Sequence, residues 1–181
     1  MRNKLNMELK IKRLNEKAIM PIRAHEGDAG LDLTCTEITT EINECGQLIL
    51  VYHTGLAIEL PKDYVGLLVP RSSISMKSLT QCNSCGILDE TYTGEVMFKM
   101  KSTTDVVPAV YKVGERIGQL VIVPCVKPTI TEVAELDKTD RGDGGFGSTG
   151  STVEDINATE TIDTRNDVTV EPVAENIGQA Q

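Results

Sequence analysis

Hydrophobic positions between residues 9 and 124 fall in short runs, not in helical stripes. "LKIKRL" (9–14) alternates apolar and polar residues, as do parts of "LILVYHTGLAIEL" (48–60), whereas "YVGLLVP" (64–70), "EVMFKMK" (95–101) and "RIGQLVIVP" (116–124) are short apolar runs. Gly, Pro, Asn or Asp break the runs every 8–12 residues or so, the rhythm of an all-β sandwich or barrel. No apolar pattern of helical period persists beyond about two turns. A short helix is expected after Arg71, where "SSISMKS" offers serine caps. From Ser151 the pattern ends: residues 151–181 hold no aromatic residue and are rich in Thr, Asp, Glu and Asn. Such a segment cannot bury enough surface to offset its ordering entropy, so it is predicted to be a disordered acidic tail.

Composition sharpens this picture in three respects. With 3% aromatic residues and no tryptophan, the core is expected to consist mainly of Val, Ile, Leu and Met. The net charge of −9 is uneven: residues 1–150 carry 17 basic against 20 acidic side chains, and residues 151–181 one against seven. An acidic chain is a poor ligand for a nucleic-acid backbone, so no direct nucleic-acid binding is expected. No run approaches the roughly 20 apolar residues of a membrane span, and the basic start lacks the apolar core of a signal peptide. Five cysteines under those conditions point to reduced thiols and a cytoplasmic location. Strand-like patterning starts at Met7, making residues 1–6 an N-terminal extension.

Two motifs invite chemistry. Cys82 and Cys85 form a CxxC, but zinc needs about four ligands and the only histidines, His25 and His53, lack a paired spacing. Two ordinary thiols in a β-hairpin are expected instead. Near the C-terminus, Gly142–Thr149 reads G-D-G-G-F-G-S-T, one letter from the phosphate-cradling G-x-x-x-x-G-K-[ST]. That loop needs a buried strand before it and a helix after it; here "AELDKTD" precedes and the acidic tail follows. A flexible linker is one reading. A phosphate clamp is the other: glycines let N–H groups converge on an anion, Arg141 offers a bidentate fork, Ser148 and Thr149 donate, and Phe146 can cover a flat ring.

Five segments in order, "AGLDL" (29–33), "PRSSISMK" (70–77), "NSCGILDETYTGE" (83–95), "GERIGQL" (114–120) and "RGDGGFGSTG" (141–150), resemble the motifs of the trimeric dUTP diphosphatase (dUTPase) family. The resemblance spans residues 7 to 150. It implies a jelly-roll-like β-barrel at 7–138, a glycine-rich mobile phosphate arm at 139–150, and a homotrimer with shared active sites. The implied reaction is hydrolysis of dUTP to dUMP and pyrophosphate, limiting uracil incorporation into DNA and supplying dUMP for thymidylate synthesis, with Mg²⁺ as cofactor.

The roles carried over are these. Asp32 bonds to magnesium waters, a sensible task for a lone carboxylate because Mg²⁺ keeps several waters and prefers substrate phosphates. Arg71, Ser72 and Ser73 hold the phosphate chain; donors at the start of a short helix also suit an anion by themselves. Asn83, which donates and accepts, reads the pyrimidine edge together with backbone groups near Gly86. Tyr92 supports the deoxyribose and excludes a 2′-hydroxyl. Asp89 is the general base, holding one water in line for attack at the α-phosphorus. Gln119 reaches the phosphate and water network, and Arg116 is structural or peripheral. Arg141, Gly147, Ser148 and Thr149 grip the terminal phosphates, and Phe146 covers the uracil. Leu31, Ser73 and Cys82 stand where relatives often have Tyr, Gly and a small Gly or Ala.

Taken singly, these residues have plainer readings as a strand-end Asp, helix-cap serines, turn residues and a core Tyr. Two other functions compete with the hydrolase. A dCTP deaminase shares the fold and a similar Arg-Ser-Ser motif, but the position aligned with its catalytic glutamate holds Lys99. A nucleotide-gated interaction protein would use the acidic tail to bind a partner protein.

Overall fold

The computed structural model describes residues 8–105 and 109–145, in two units spanning 1–129 and 130–181. The first unit holds strands β1 (Lys10–Arg13), β2 (Leu31–Thr34), β3 (Glu37–Ile42), β4 (Leu48–Glu59), β5 (Tyr64–Val69), β6 (Leu79–Gln81), β7 (Gly86–Leu88), β8 (Glu95–Ser102) and β9 (Arg116–Pro124). A single 3-10 turn, Ser72–Met76, follows β5. The described part of the second unit, 130–145, contains turns and no helix or strand. The fold is therefore all-β, as its run of short apolar segments predicts, and jelly-roll-like, as the family resemblance implies. Among the described residues no helix is long and apolar enough to cross a membrane.

All pairings are antiparallel. One sheet runs β1-β4-β8-β6, with β3 also on β4; the other runs β2-β9-β5-β7. β4 is the longest strand and the organiser of the first sheet. Its residues 48–53 pair β3, 56–59 pair β1, and β8 lies along its other edge. Between His53 and Ala57 the β4–β8 register shifts. Gly55 takes φ +66° at that bulge, and a Cβ there would lie 2.8 Å from Nδ2 of Asn15, so both conformation and space require glycine. Side chains replace the lost ladder bonds. Thr54 donates its hydroxyl to the Val96 carbonyl at 2.6 Å, and a Glu95 carboxylate oxygen accepts the Gly55 N–H at 2.8 Å.

The two sheets share one core. Leu33, Leu68, Leu88, Ile117 and Leu120 from the second sheet meet Leu56, Ile58, Leu79, Val96 and Met100 from the first. Leu and Ile dominate, as the composition demands, yet the largest fully buried side chains are Tyr52 and Phe98. The scarce aromatics are thus spent at the centre. Phe98 lies against the Cα of Gly118, where a larger residue on β9 would strike its ring.

The predicted helix is present only as the 3-10 turn, and no serine caps it. Arg71 occupies the N-cap position without a side-chain cap bond. The turn is fixed from its far end, where Lys77 Nζ donates to the Val110 carbonyl at 3.2 Å and to Glu115 at 3.3 Å and lies 4.7 Å from the Tyr111 ring centre.

Candidate active site

Two clefts on the first unit gather the candidate residues. The first, about 330 Å³, is lined by Asn83, Gly86, Asp89 and Tyr92 together with Gln81, Cys82 and residues of β8. The second, about 410 Å³, is lined by Gly30, Asp32, Arg71, Ser72 and Gln119. No lining residue belongs to both.

The second cleft follows from strand register. β2 and β9 pair so that Asp32 stands opposite Gln119, and Arg71 leaves the end of β5, itself paired to β9. Asp32 is nearly buried, at 8% exposure, and is held from two sides. Arg71 Nε donates to Oδ1 at 2.9 Å and Arg116 Nη1 to Oδ2 at 2.8 Å. The pairing offsets the desolvation cost of the buried carboxylate and points two guanidinium groups at one place. Arg116 does not line the cleft; it acts on it structurally, by holding Asp32. Ser73 Oγ lies 3.5 Å from Arg71 Nη1, and Ser72 is exposed at the head of the turn. Gln119 donates to the Pro70 carbonyl at 3.2 Å. Its side chain fills the space above Gly30, where a Cβ would collide with the amide; the glycine of "AGLDL" is the room Gln119 needs. The exposed Ser72 hydroxyl and the guanidinium N–H groups beside this concavity are donors of the kind that suit an anion.

The first cleft is built by the segment from β6 to β8. Residues 82–85 connect β6 of one sheet to β7 of the other, so Cys82 and Cys85 lie in a crossing turn and not in a β-hairpin. Period-two patterning cannot reveal which sheet a three-residue strand joins. Both are free thiols, as are the other three cysteines, and no cluster of three or more metal-ligating residues occurs among the described residues. Partial burial pushes the Cys82 thiol up. Asp89 is exposed at the cleft rim and its carbonyl accepts the Tyr92 N–H at 3.1 Å. Its neighbour Glu90 is turned elsewhere: Lys127 binds one oxygen at 2.5 Å and the Asp63 N–H the other at 2.7 Å. Hydrogen bonding to Lys127 holds the Glu90 carboxyl below its usual range.

Tyr92 is 42% exposed and is therefore a cleft residue, not a core tyrosine. Its hydroxyl donates to the Glu95 carbonyl at 2.9 Å, and its ring lies over Gly94, where a Cβ would approach the hydroxyl to 2.6 Å. Glu95 is anchored in turn by His53 Nδ1 at 3.0 Å and by the Gly55 amide. Neither Glu95 nor Gln81 stands out in the sequence. The available signal is that each is a polar residue at the end of an apolar strand. Lys99 pairs with Glu41 at 2.7 Å, so the position aligned with a deaminase glutamate carries a cation in a structural ion pair.

In the second unit, Arg141 Nε donates to the Gly144 carbonyl at 2.9 Å, and the Gly142 N–H to the Thr139 carbonyl at 3.0 Å, closing a local turn. Phe146, Gly147, Ser148, Thr149 and the acidic tail lie outside the described residues.

Comparison with known proteins gives a consistent result. The dUTPase family model matches residues 16–150. The chain is 41% identical over 131 residues to the deoxyuridine 5'-triphosphate nucleotidohydrolase of Hydrogenobaculum sp. (strain Y04AAS1), across 72% of this chain and 89% of that protein. It is 43% identical over 137 residues to the enzyme of the same name from Clostridium novyi (strain NT), with the same two shares. Among solved structures, the dUTPase of Staphylococcus bacteriophage 80alpha with dUPNHPP superposes with a TM-score of 0.66 at 32% identity, covering 80% of this chain and 99% of that one. A mutant dUTPase from phage phi11 of S. aureus, described for its coordination of a structural Mg(II) ion, gives a TM-score of 0.59 at 28% identity, over 71% and 97% of the two chains.

Proposed function

The chain belongs to the dUTPase family, and from that premise we infer that it hydrolyses dUTP to dUMP and pyrophosphate. The observation that carries the residue roles is the first cleft, in which Asn83, Gly86, Asp89 and Tyr92 converge around about 330 Å³. An amide that reads a base edge, an aromatic floor and an exposed carboxylate are the parts this reaction needs in one place. Asp89 holds a water for in-line attack on the α-phosphorus, and pyrophosphate leaves. The water's proton passes to the carboxylate as the P–O bond forms.

The second cleft binds the phosphate chain. Arg71, with Ser72 and Ser73, supplies donors to its oxygens, Gln119 adds an amide, and Arg141, Ser148 and Thr149 close on the terminal phosphates from the glycine-rich arm. Phe146 covers the base, and closing the arm excludes water from the reacting centre. Trimeric assembly is typical of the family, and in a homotrimer with shared sites the first cleft of one chain would work with the second cleft of another.

Mg²⁺ fits the donor set in one manner only. Both Asp32 oxygens already accept from arginine, and no cage of three ligating side chains exists among the described residues. Each carboxylate oxygen keeps a second lone-pair direction, sufficient to accept from a metal-bound water. The ion would therefore be carried mainly by the substrate's phosphates, with Asp32 as an outer partner, and would supply charge neutralisation on the triphosphate oxygens.

The test is to incubate the full chain with Mg²⁺ and, separately, dUTP, dTTP, dCTP and UTP, and to quantify monophosphate, pyrophosphate and ammonia. dUMP and pyrophosphate from dUTP alone, lost in Asp89→Asn, is the expected result. Ammonia from dCTP would install the deaminase instead. No cleavage of dUTP by a folded trimer would leave a nucleotide-binding interaction protein as the better reading.

A further inference from the structure

Two amide side chains at the first cleft take their direction from one backbone carbonyl. Gln81 closes β6 with only 5% of its surface exposed. Its Nε2 donates to the Leu68 carbonyl on β5 at 3.0 Å and to Oδ1 of Asn83 at 2.9 Å. A peptide carbonyl only accepts, so the Gln81 atom facing Leu68 is the nitrogen. An amide nitrogen only donates, so the Asn83 atom facing Gln81 is the oxygen. The Asn83 amide is thereby fixed the other way round, with Nδ2 next to Gly86; a Cβ on that glycine would lie 3.4 Å from it. The arrangement has a cost. Gln81 Oε1 is buried with no partner among the described residues, a loss that an apolar side chain would not incur. What Gln81 contributes is direction and not stability.

We propose that Gln81 sets base specificity by locking Asn83 as a hydrogen-bond donor toward the nucleotide, so that the cleft takes a pyrimidine with a carbonyl at ring position 4 and disfavours one with an amino group there. The proposal rests on the dUTP reading of this cleft. Uracil presents an acceptor at that position and cytosine a donor. An Asn amide free to rotate by half a turn serves both, whereas a locked one serves a single polarity. When donor meets donor, both stay unpaired in a partly desolvated site, which discriminates by roughly tenfold to a hundredfold.

The decisive variant is Gln81→Met, close in length and apolar, therefore suited to a buried strand end; Gln81→Leu stands by if it does not fold. kcat/KM for pyrophosphate release is measured with dUTP and dCTP, and binding of dUMP and dCMP by calorimetry. The expected result is a fall of about tenfold or more in the dUTP-to-dCTP ratio, carried by KM, with the dUMP-to-dCMP binding ratio falling in step. A variant that merely loosens the fold weakens both nucleotides alike, and an unchanged ratio overturns the proposal. The side-chain amide signals of Asn83, followed by NMR without nucleotide, test the lock separately. They should shift and exchange faster in Q81M, and signals identical to wild type would overturn the lock even if the chain proved inactive on dUTP. Wild-type failure to bind or cleave dUTP, with the amide signals moving as expected, would instead sink the dUTP reading.

Discussion

Arg116 and Asp32, 84 positions apart in sequence, meet with Nη1 2.8 Å from Oδ2, while Arg71 holds the other carboxylate oxygen at 2.9 Å. One carboxylate therefore holds two guanidinium groups together beside the second cleft, and removing it leaves two cations facing each other. Asp32→Asn is expected to cost about 1–3 kcal/mol in urea unfolding, between the values for exposed and buried pairs. Arg116→Ala should cost less, because Arg116 is the more exposed partner, at 39% against 25% for Arg71. An Asp32→Asn variant as stable as wild type would show that the pairing carries no folding energy.

Gly30 and Gln119 make a sharper test of the same cleft. A methyl group at position 30 occupies the space of the Gln119 amide. Gly30→Ala should displace that side chain and break its bond to the Pro70 carbonyl, with kcat for dUTP falling at least tenfold, roughly the loss of one aligned contact in the transition state. Gly30→Ala combined with Gln119→Ala removes the clash. The double variant should recover the stability lost in Gly30→Ala but not its turnover.

Glu95 connects the β4 bulge to Tyr92. Its carboxylate accepts from the Gly55 amide and pairs with His53, and its carbonyl takes the Tyr92 hydroxyl. Glu95→Ala leaves the Gly55 N–H without a partner, costing about 1–3 kcal/mol in thermal or urea unfolding. Tyr92 bonds to the Glu95 main-chain carbonyl, which alanine retains, so turnover of UTP relative to dUTP should stay as in wild type. Glu95→Gln, which retains an acceptor for Gly55, should lie between wild type and Glu95→Ala in stability.

The alkaline limb of stability should be steep. Burial pushes the Cys35 thiol up to about 11 from 9.0 and the Tyr52 hydroxyl up to about 12 from 10.0. Both groups are neutral when protonated and raised on folding, so the stability they contribute is complete below the unfolded values and is lost as pH rises through the folded ones. Unfolding free energy should hold to about pH 9 and then fall, with roughly 2–3 kcal/mol attributable to Cys35 by pH 11. Cys35→Ala should flatten the first part of that decline, and an unaltered slope would refute the assignment.

The strands carrying continuous apolar runs, β5, β8 and β9, were legible from the sequence because their side chains meet the core locally. β3 was not: its "EITTEI" is mostly exposed, and it exists because β4 has an edge to pair. The crossing turn at Cys82–Cys85 escaped for a related reason, since alternation states which face a residue takes but not which sheet its strand joins. Asp89, Asn83 and Tyr92 could be named from motif order, whereas the Arg116–Asp32 contact arises from the β2–β9 register. Gln81 needed the Leu68 carbonyl, a group that no residue letter encodes.

The separation of the two clefts has a genetic counterpart. Where a complete site joins the first cleft of one chain to the second cleft of another, a chain damaged only at Asp89 and one damaged only at Arg71 each keep one intact half-site. Co-expressed, they can pool what each retains, and mixed assemblies should cleave dUTP although neither parent does. Alleles of this protein would then fall into two complementation groups, divided according to the cleft each one injures.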